Sequence, residues 1–374
     1  MKRIVIVEEK DIHFYPPLMN VVRILLDNGH DVTLISQGAD LMPQSVLSSG
    51  RYHYELIYAK EDRRNDITKL FSRIALTREL KKKIDKNMLH ADLLWTGSIQ
   101  TLRDSWRTVK KYKNILQLME LCETGYVAHG IKFPLDKVAR DSFKVVVAEK
   151  NRAYIEKAWW DLKYLPTVLP NKPYSLDYGV ISSELKKSID KMKTEKRKVI
   201  LYLGGIFADR ELEEFARAIY EKKDEYVLYV AGKAYNPKLQ NSFDECKKKY
   251  GIEYLGYFDP PQHLALVQHA FIGILPYKTV HVKGQSSLNA LYCAPNKIFE
   301  YAGFGIPMIG SDVLGLSEPF RTYNIGFCWD GKDTVDFHRA INEIEKNYAL
   351  MSQNCKDYYN SVDIEKIVMD IIAE

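Results

Sequence analysis

Short unbroken apolar runs, each separated from the next by a helix-like stretch, constrain this chain more than any other feature. Arg3-Ile-Val-Ile-Val7 is followed by helical spacing over 20–28 (Val21, Ile24, Leu25), a Gly29-His30 stop and the run Val32-Thr-Leu-Ile35. Strand, helix, strand at that spacing is a βαβ unit, which implies a parallel sheet. Similar runs recur at 92–95, 115–119 and 145–148, and again at 199–203, 226–231, 255–258, 271–276 and 306–309. The class is therefore α/β. At 374 residues the chain exceeds what one compact core accommodates. Composition turns charged and weakly apolar between Tyr174 and Lys198, where the division falls. We expect one domain over 1–175 and a second over 176–349, followed by helical sequence to the end of the chain.

Composition narrows the function classes. Charged residues make up 28% and hydrophobic residues 46%, ordinary for a globular protein. No apolar run reaches the ~18–20 residues of a membrane span, and the first apolar run is too short for a signal-peptide core. Five cysteines (Cys122, Cys246, Cys293, Cys328, Cys355) are scattered without CxxC spacing. That pattern argues against a disulfide framework or a zinc site and for a reducing cytoplasm. A net charge of +5 gives little electrostatic support to nucleic-acid binding. The first strand–helix loop, Glu8 to Pro17, lacks GxGxxG, which disfavours an NAD-type oxidoreductase.

The stretch Ala294-Pro-Asn-Lys-Ile-Phe-Glu-Tyr-Ala-Gly-Phe-Gly-Ile-Pro-Met-Ile-Gly-Ser-Asp312 reads as a helix start, a short helix, a glycine stop and a buried strand. Pro295 suits the first turn. A helix N-terminus favours anions, so Lys297 and Glu300 suit a nucleotide's phosphate and ribose. They also suit the solvated face of any amphipathic helix. Upstream, the strand Val199–Leu203 runs into Gly204-Gly205-Ile206, whose small residues let a phosphate approach backbone N–H groups. Arg210, at the start of the next helix, is a candidate phosphate fork. Further candidates are Gly232 and Tyr257 at strand ends, Tyr277, Lys278 and Tyr292 in or at the edge of the long loop before residue 294, and Asn296 and Ile298 in the helix that follows it.

In the first half, polar loops follow the strands, where open parallel sheets bind ligands. Glu120, Glu123 and His129 stand where an acceptor or a catalytic group belongs, as do His13 and Tyr15 after the first strand. Residues 60–86 carry ten Lys and Arg against five acids, with Leu70, Phe71, Ile74 and Leu80 as the apolar side. Such a segment suits an anionic membrane surface, although a solvated helix face is the commoner explanation of such charge.

The second half resembles the donor domain of glycosyltransferase family 4. The resemblance rests on Val199-Ile-Leu-Tyr-Leu-Gly-Gly-Ile, Val227-Leu-Tyr-Val-Ala-Gly, Leu255-Gly-Tyr, Ile272-Gly-Ile-Leu-Pro-Tyr and above all the PNKxFEYxxxGxP block from Pro295. The first half is similar more loosely, through 26–35 and Leu169-Pro-Asn-Lys-Pro173. The resemblance implies a GT-B fold: an N-terminal acceptor-binding Rossmann-like domain, a C-terminal nucleotide-sugar domain, and a C-terminal helix (about 350–374) packing back on the first. It also implies a UDP- or GDP-sugar donor, retention of configuration, and no metal or other cofactor. Glu300 matches the second glutamate of the family's E-x7-E pair, which holds the ribose, while the first falls on Tyr292. The phosphate-binding Arg and Lys fall on Gly205 and Arg210, leaving Lys297, Lys278 or Lys283 to complete the charge. The family's histidine would fall near Met119-Glu120, so Glu120 and Glu123, with Arg210 and Lys297, are the expected catalytic groups.

The implied protein is a cytoplasmic glycosyltransferase, peripheral on the inner face of the cell membrane. It would move a hexose-type sugar onto a lipid-linked saccharide in surface polysaccharide or capsule assembly. A nucleotide-sugar epimerase of the same fold and a non-catalytic nucleotide-sugar-binding subunit remain alternatives.

Overall fold

The computed structural model describes residues 1–59, 65–121, 127–128, 131–132, 134–207, 210, 212–279 and 286–373, with the backbone alone at 66, 127–128 and 131–132. The chain divides into two compact units, Met1–Tyr174 with Asp363–Glu374, and Ser175–Val362.

The first unit contains β1 (Arg3–Val7), α1 (Pro16–Asp27), β2 (Asp31–Ser36), α2 (Gln44–Leu47), β3 (Tyr52–Leu56), α3 (Asp66–Asn87), β4 (Leu93–Thr96), α4 (Ile99–Val109) and β5 (Asn114–Leu118). These are followed by β6 (Val127–Ala128), β7 (Ile131–Lys132), α5 (Leu135–Asp141), β8 (Lys144–Val147), α6 (Lys150–Trp160) and β9 (Thr167–Val168). Seven strands form one sheet in the order β3-β2-β1-β4-β5-β8-β9, every pair parallel. β6 and β7 form a separate antiparallel pair.

The second unit begins with α7 (Ser183–Thr194), β10 (Lys198–Leu203), α8 (Glu213–Tyr220), β11 (Tyr226–Ala231), α9 (Pro237–Tyr250), β12 (Glu253–Gly256), α10 (Leu264–Val267) and β13 (Ile272–Leu275). It continues with α11 (Leu288–Leu291), α12 (Asn296–Gly303), β14 (Met308–Ser311), α13 (Leu314–Tyr323), β15 (Gly326–Trp329), α14 (Thr334–Lys346) and α15 (Tyr348–Asn360). A last helix, α16 (Ile364–Ala373), belongs to the first unit. The second sheet is also all parallel, in the order β12-β11-β10-β13-β14-β15.

Burial explains the architecture. β5 and β11 are buried at every position, as strands covered by helices on both faces must be. One face of the second sheet packs Leu201, Leu203 and Tyr229 beneath α7, α10, α12 and α15, and the other packs Tyr202, Leu228 and Ile274 beneath α8 and α14. Of the segment 350–374, α15 lies in the second unit, with Phe299 of α12 stacked on Tyr358 at 5.0 Å. α16 alone lies in the first unit, where Glu365 accepts from Asn28 at 2.7 Å.

α3 corrects one expectation. Leu80 faces the core with Leu76 and Ile84, whereas Leu70, Phe71 and Ile74 are exposed. At 3.6 residues per turn, Leu76, Leu80 and Ile84 share one face and Phe71 and Ile74 the other.

Candidate active site

Both sheets reverse strand order once, beside β1 and β4 in the first unit and beside β10 and β13 in the second. Open α/β sheets bind ligands at such switch points, beyond the strand C-termini.

In the second unit β10 is followed by Gly204, whose φ of +117° suits glycine. A Cβ there would lie 2.6 Å from Lys297 Nζ, so the ammonium sits directly over this backbone turn. Gly232, ending β11, completes the close approach: a Cβ on it would lie 1.8 Å from the Gly204 carbonyl oxygen. The amides of Gly204 and Ile206 are engaged with the carbonyls of Ala231 (2.8 Å) and Lys233 (2.9 Å). Of the Gly204-Gly205-Ile206 trio, only the Gly205 amide remains to meet a ligand. This corrects the expectation that all three cradle a phosphate, because the parallel pairing of β10 with β11 continues past the strand ends.

α12 delivers Lys297 and Glu300. Pro295 is its N-cap rather than its first helical residue, and a proline side chain offers no acceptor to the amides that begin at Asn296. A helix start of this kind suits an anion. Glu300 is buried, and His263 Nε2 lies 3.3 Å from its Oε1. Burial alone would raise this carboxyl, but His263 and Lys297 outweigh it and hold the carboxyl below its ordinary range. Sequence reasoning missed His263, which comes from the turn before α10. Tyr301 braces the strand beneath, donating to the Leu201 carbonyl at 2.9 Å and accepting from the Leu203 amide at 3.2 Å.

The Arg210 guanidinium lies 5.1 Å from the Phe207 ring centre and 4.9 Å from that of Tyr277. Phe207 in turn stacks on Tyr235 at 4.6 Å, and Lys233 sits 4.0 Å over Tyr257. Lys278 is tied to Glu214 at 2.7 Å. Beside it a cavity of about 390 Å³ opens between the ends of β13, β14 and β15. Ile298 is a core residue, and Tyr292 ends α11.

The first unit's switch point carries carboxyl groups that sequence reasoning left unassigned. Glu8 and Glu9 follow β1 and are buried, each with one carboxyl oxygen (Oε2) lacking a hydrogen-bond partner among the described residues. Glu8 Oε1 accepts from Thr101 Oγ1 at 3.0 Å and from the Lys10 amide at 3.2 Å. Burial pushes its carboxyl up to about 7. Glu9 is raised too, by burial and by the charges of Asp104 and Glu8. Asp104, on α4, is lowered: burial opposes this, but Arg103 at 2.7 Å and Arg73 at 2.6 Å outweigh it. Tyr15 joins the cluster, its hydroxyl pushed up by burial and by the charges of Glu8, Glu9 and Glu120. Tyr15 thus lies with Glu8 and Glu9, near enough to Glu120 for its charge to act on the hydroxyl. His13 is held apart, its ring between Asp11 Oδ1 (2.8 Å) and the Leu41 carbonyl (3.1 Å). Glu123, His129 and Lys283 lie outside the described residues. Among the described residues, no group of three or more His, Cys, Asp or Glu could hold a metal.

Two doubly wound sheets, one with a cation over a glycine turn at its switch point and a buried carboxylate a helical turn away, define a two-domain α/β protein. Residues 184–361, just under half of the chain, match the family of glycosyl transferases group 1, a match that supports a glycosyltransferase, and the chain has the GT-B fold. Among solved structures it is similar to HepE of Anabaena in complex with UDP-glucose, at 10% identity and TM-score 0.73, covering 100% of this chain and 99% of the other. It is similar also to sucrose-phosphate synthase of Thermosynechococcus elongatus, at 14% identity and TM-score 0.71, covering 99% and 97%. A third is the E. coli trehalose-6-phosphate structure bound with UDP-2-fluoro glucose, at 11% identity and TM-score 0.70, covering 99% and 98%. No curated protein matches the chain by sequence.

Proposed function

We propose that the protein transfers a hexose-type sugar, with retention, from a UDP- or GDP-sugar to a hydroxyl of a lipid-linked saccharide. The setting is surface polysaccharide assembly at the cytoplasmic face of the membrane. The observation that carries the donor half of this reading is the Lys297 ammonium over Gly204, with Glu300 and His263 one turn along α12. The diphosphate lies against Lys297, the Gly205 amide and the start of α12, with Arg210 as the second cation. These groups compensate the charge that grows on the leaving group as the sugar–phosphate bond breaks. Glu300 accepts hydrogen bonds from the ribose hydroxyls. Binding of UDP and UDP-glucose by the HepE structures supports a uridine donor. The acceptor hydroxyl is received at the first unit's switch point, by Tyr15 and Glu120. No metal takes part in the proposed transfer. The proposed membrane role is that of a peripheral protein; no helix among the described residues is long and apolar enough to cross a membrane.

A thermal-shift and calorimetric panel of UDP, GDP, CDP, ADP and their sugar conjugates tests the reading. A ligand at a hundred times its Kd stabilises by about 2.7 kcal/mol, and we expect selective stabilisation by one nucleoside diphosphate that K297A abolishes. Binding without turnover of any sugar conjugate would favour a non-catalytic nucleotide-sugar-binding subunit. No binding at all would overturn the donor site.

A further inference from the structure

The apolar side chains on the outer face of α3 stand exposed among the described residues. Ile67, Leu70, Phe71 and Ile74 are 69, 59, 66 and 37% exposed, although they stand on a well-formed helix. Their spacing of three and four residues places them on adjoining turns, and Arg78, Lys81 and Lys82 continue the exposed side toward the C-terminus. The opposite face, Leu76, Leu80 and Ile84, is what holds the helix to the sheet. The helix is thus anchored through its second half and presents an apolar patch from its first.

The position of this patch follows from topology. α3 comes after β3 in a parallel sheet, so its first turns lie at the end where the strands finish, the same end as Glu8 and Ser98. Arg73, between the exposed residues in sequence, turns inward to Asp104 at 2.6 Å. Asp104 also binds Arg103, which lies 4.0 Å from Glu9. A chain of charged contacts therefore links the patch to the buried carboxyl cluster.

We infer that this face of α3 is a bilayer-docking element, in which Ile67, Leu70, Phe71 and Ile74 enter the acyl boundary while Arg78, Lys81 and Lys82 meet anionic headgroups. An apolar patch flanked by cations matches an anionic bilayer in both of its chemistries. The inference deepens the membrane part of the proposed function, from attraction through charge to insertion of apolar side chains. It also sets the lipid surface beside the proposed acceptor site.

Vesicle co-sedimentation of the full chain tests this without donor or acceptor, so its outcome is separate from that of the transferase reading. The wild type should bind phosphatidylglycerol-rich vesicles and retain most of that binding at roughly 0.5 M salt, where charge attraction is strongly screened. F71S/I74S should lose at least about tenfold in vesicle affinity, as removal of inserted apolar area predicts. Its thermal midpoint and nucleotide binding should stay those of the wild type, since both residues are exposed. K81E/K82E should weaken binding chiefly at low salt. Failure of the wild type to bind any vesicle, or wild-type vesicle affinity in F71S/I74S, would overturn the inference. So would a dimer in sedimentation equilibrium that F71S/I74S converts to monomer, because the patch would then be covered by a second copy.

Discussion

The buried carboxyl of Glu8 makes stability depend on pH in a direction that can be calculated. Its pKa rises from an ordinary 4.5 to about 7, because burial disfavours the charged form more than the bonds from Ser98, Lys10 and Thr101 favour it. The native fold therefore holds this proton more tightly than the unfolded chain does. The stability contribution is fully present below about pH 4.5 and declines as pH rises, until it is lost above 7. At about 1.4 kcal/mol per pKa unit, ionised Glu8 costs the fold on the order of 3 kcal/mol at pH 8.5. E8Q removes the titration while keeping an oxygen for Thr101 and Lys10, and any cost of the new amide group is independent of pH. E8Q should therefore gain about 3 kcal/mol relative to wild type between pH 4.5 and 8.5. The assay is urea unfolding followed by tryptophan fluorescence, since four of the five tryptophans (Trp95, Trp106, Trp159, Trp160) belong to the first unit. A difference between E8Q and wild type that stays constant across this range would refute the reasoning.

Other consequences follow from single contacts. Glu300→Ala should weaken nucleoside diphosphate binding by about 1–3 kcal/mol through lost ribose hydrogen bonds, and unchanged affinity in calorimetry would remove that role. Gly204→Ala should weaken UDP binding by roughly tenfold, because a Cβ there displaces Lys297. Combined with K297A it should add little more, as expected for two changes acting on one contact. Tyr301→Phe leaves two buried backbone groups of β10 without their partner and should cost about 1–3 kcal/mol, read as a lower Tm.

Both parallel sheets were legible because their central strands are continuous apolar runs, a pattern that burial on both faces produces. β3 was not. Its sequence Tyr52-His-Tyr-Glu-Leu56 forms a sheet edge, only Tyr52 is buried, and the alternation is too short to stand out from loop. Lys297 and Glu300 could be found because a helix start marks them locally. His263 could not, since its pairing with Glu300 joins segments far apart in sequence. Glu8 and Glu9 escaped for a different reason: an acidic pair after a strand reads as a solvated turn. Only the placement of β4 beside β1, with Thr101 closing from α4, buries it. The faces of α3 were misassigned because its apolar residues occupy both sides, which local composition cannot separate.

The two units use one topology for opposite electrostatics. In each sheet the strand order reverses beside the first strand of the unit, and the loop after that strand receives the helix that follows the next strand across the switch point, or lies close to it. In the second unit this brings Lys297 over a backbone turn, a place that stabilises negative charge. In the first it brings two carboxyls together under low solvent exposure, where burial raises the proton affinity of both and the charge of Glu8 raises that of Glu9 further. At neutral pH the Glu8–Glu9 pair therefore carries less negative charge than two free carboxylates would, while Arg73 and Arg103 hold Asp104 ionised. In the proposed transfer the departing diphosphate gains charge, which a cationic turn suits, and the attacking hydroxyl loses a proton, which a site poor in negative charge does not oppose. The contrast between the two units thus follows from which side chains each sheet places at its switch point, since the backbone plan is shared.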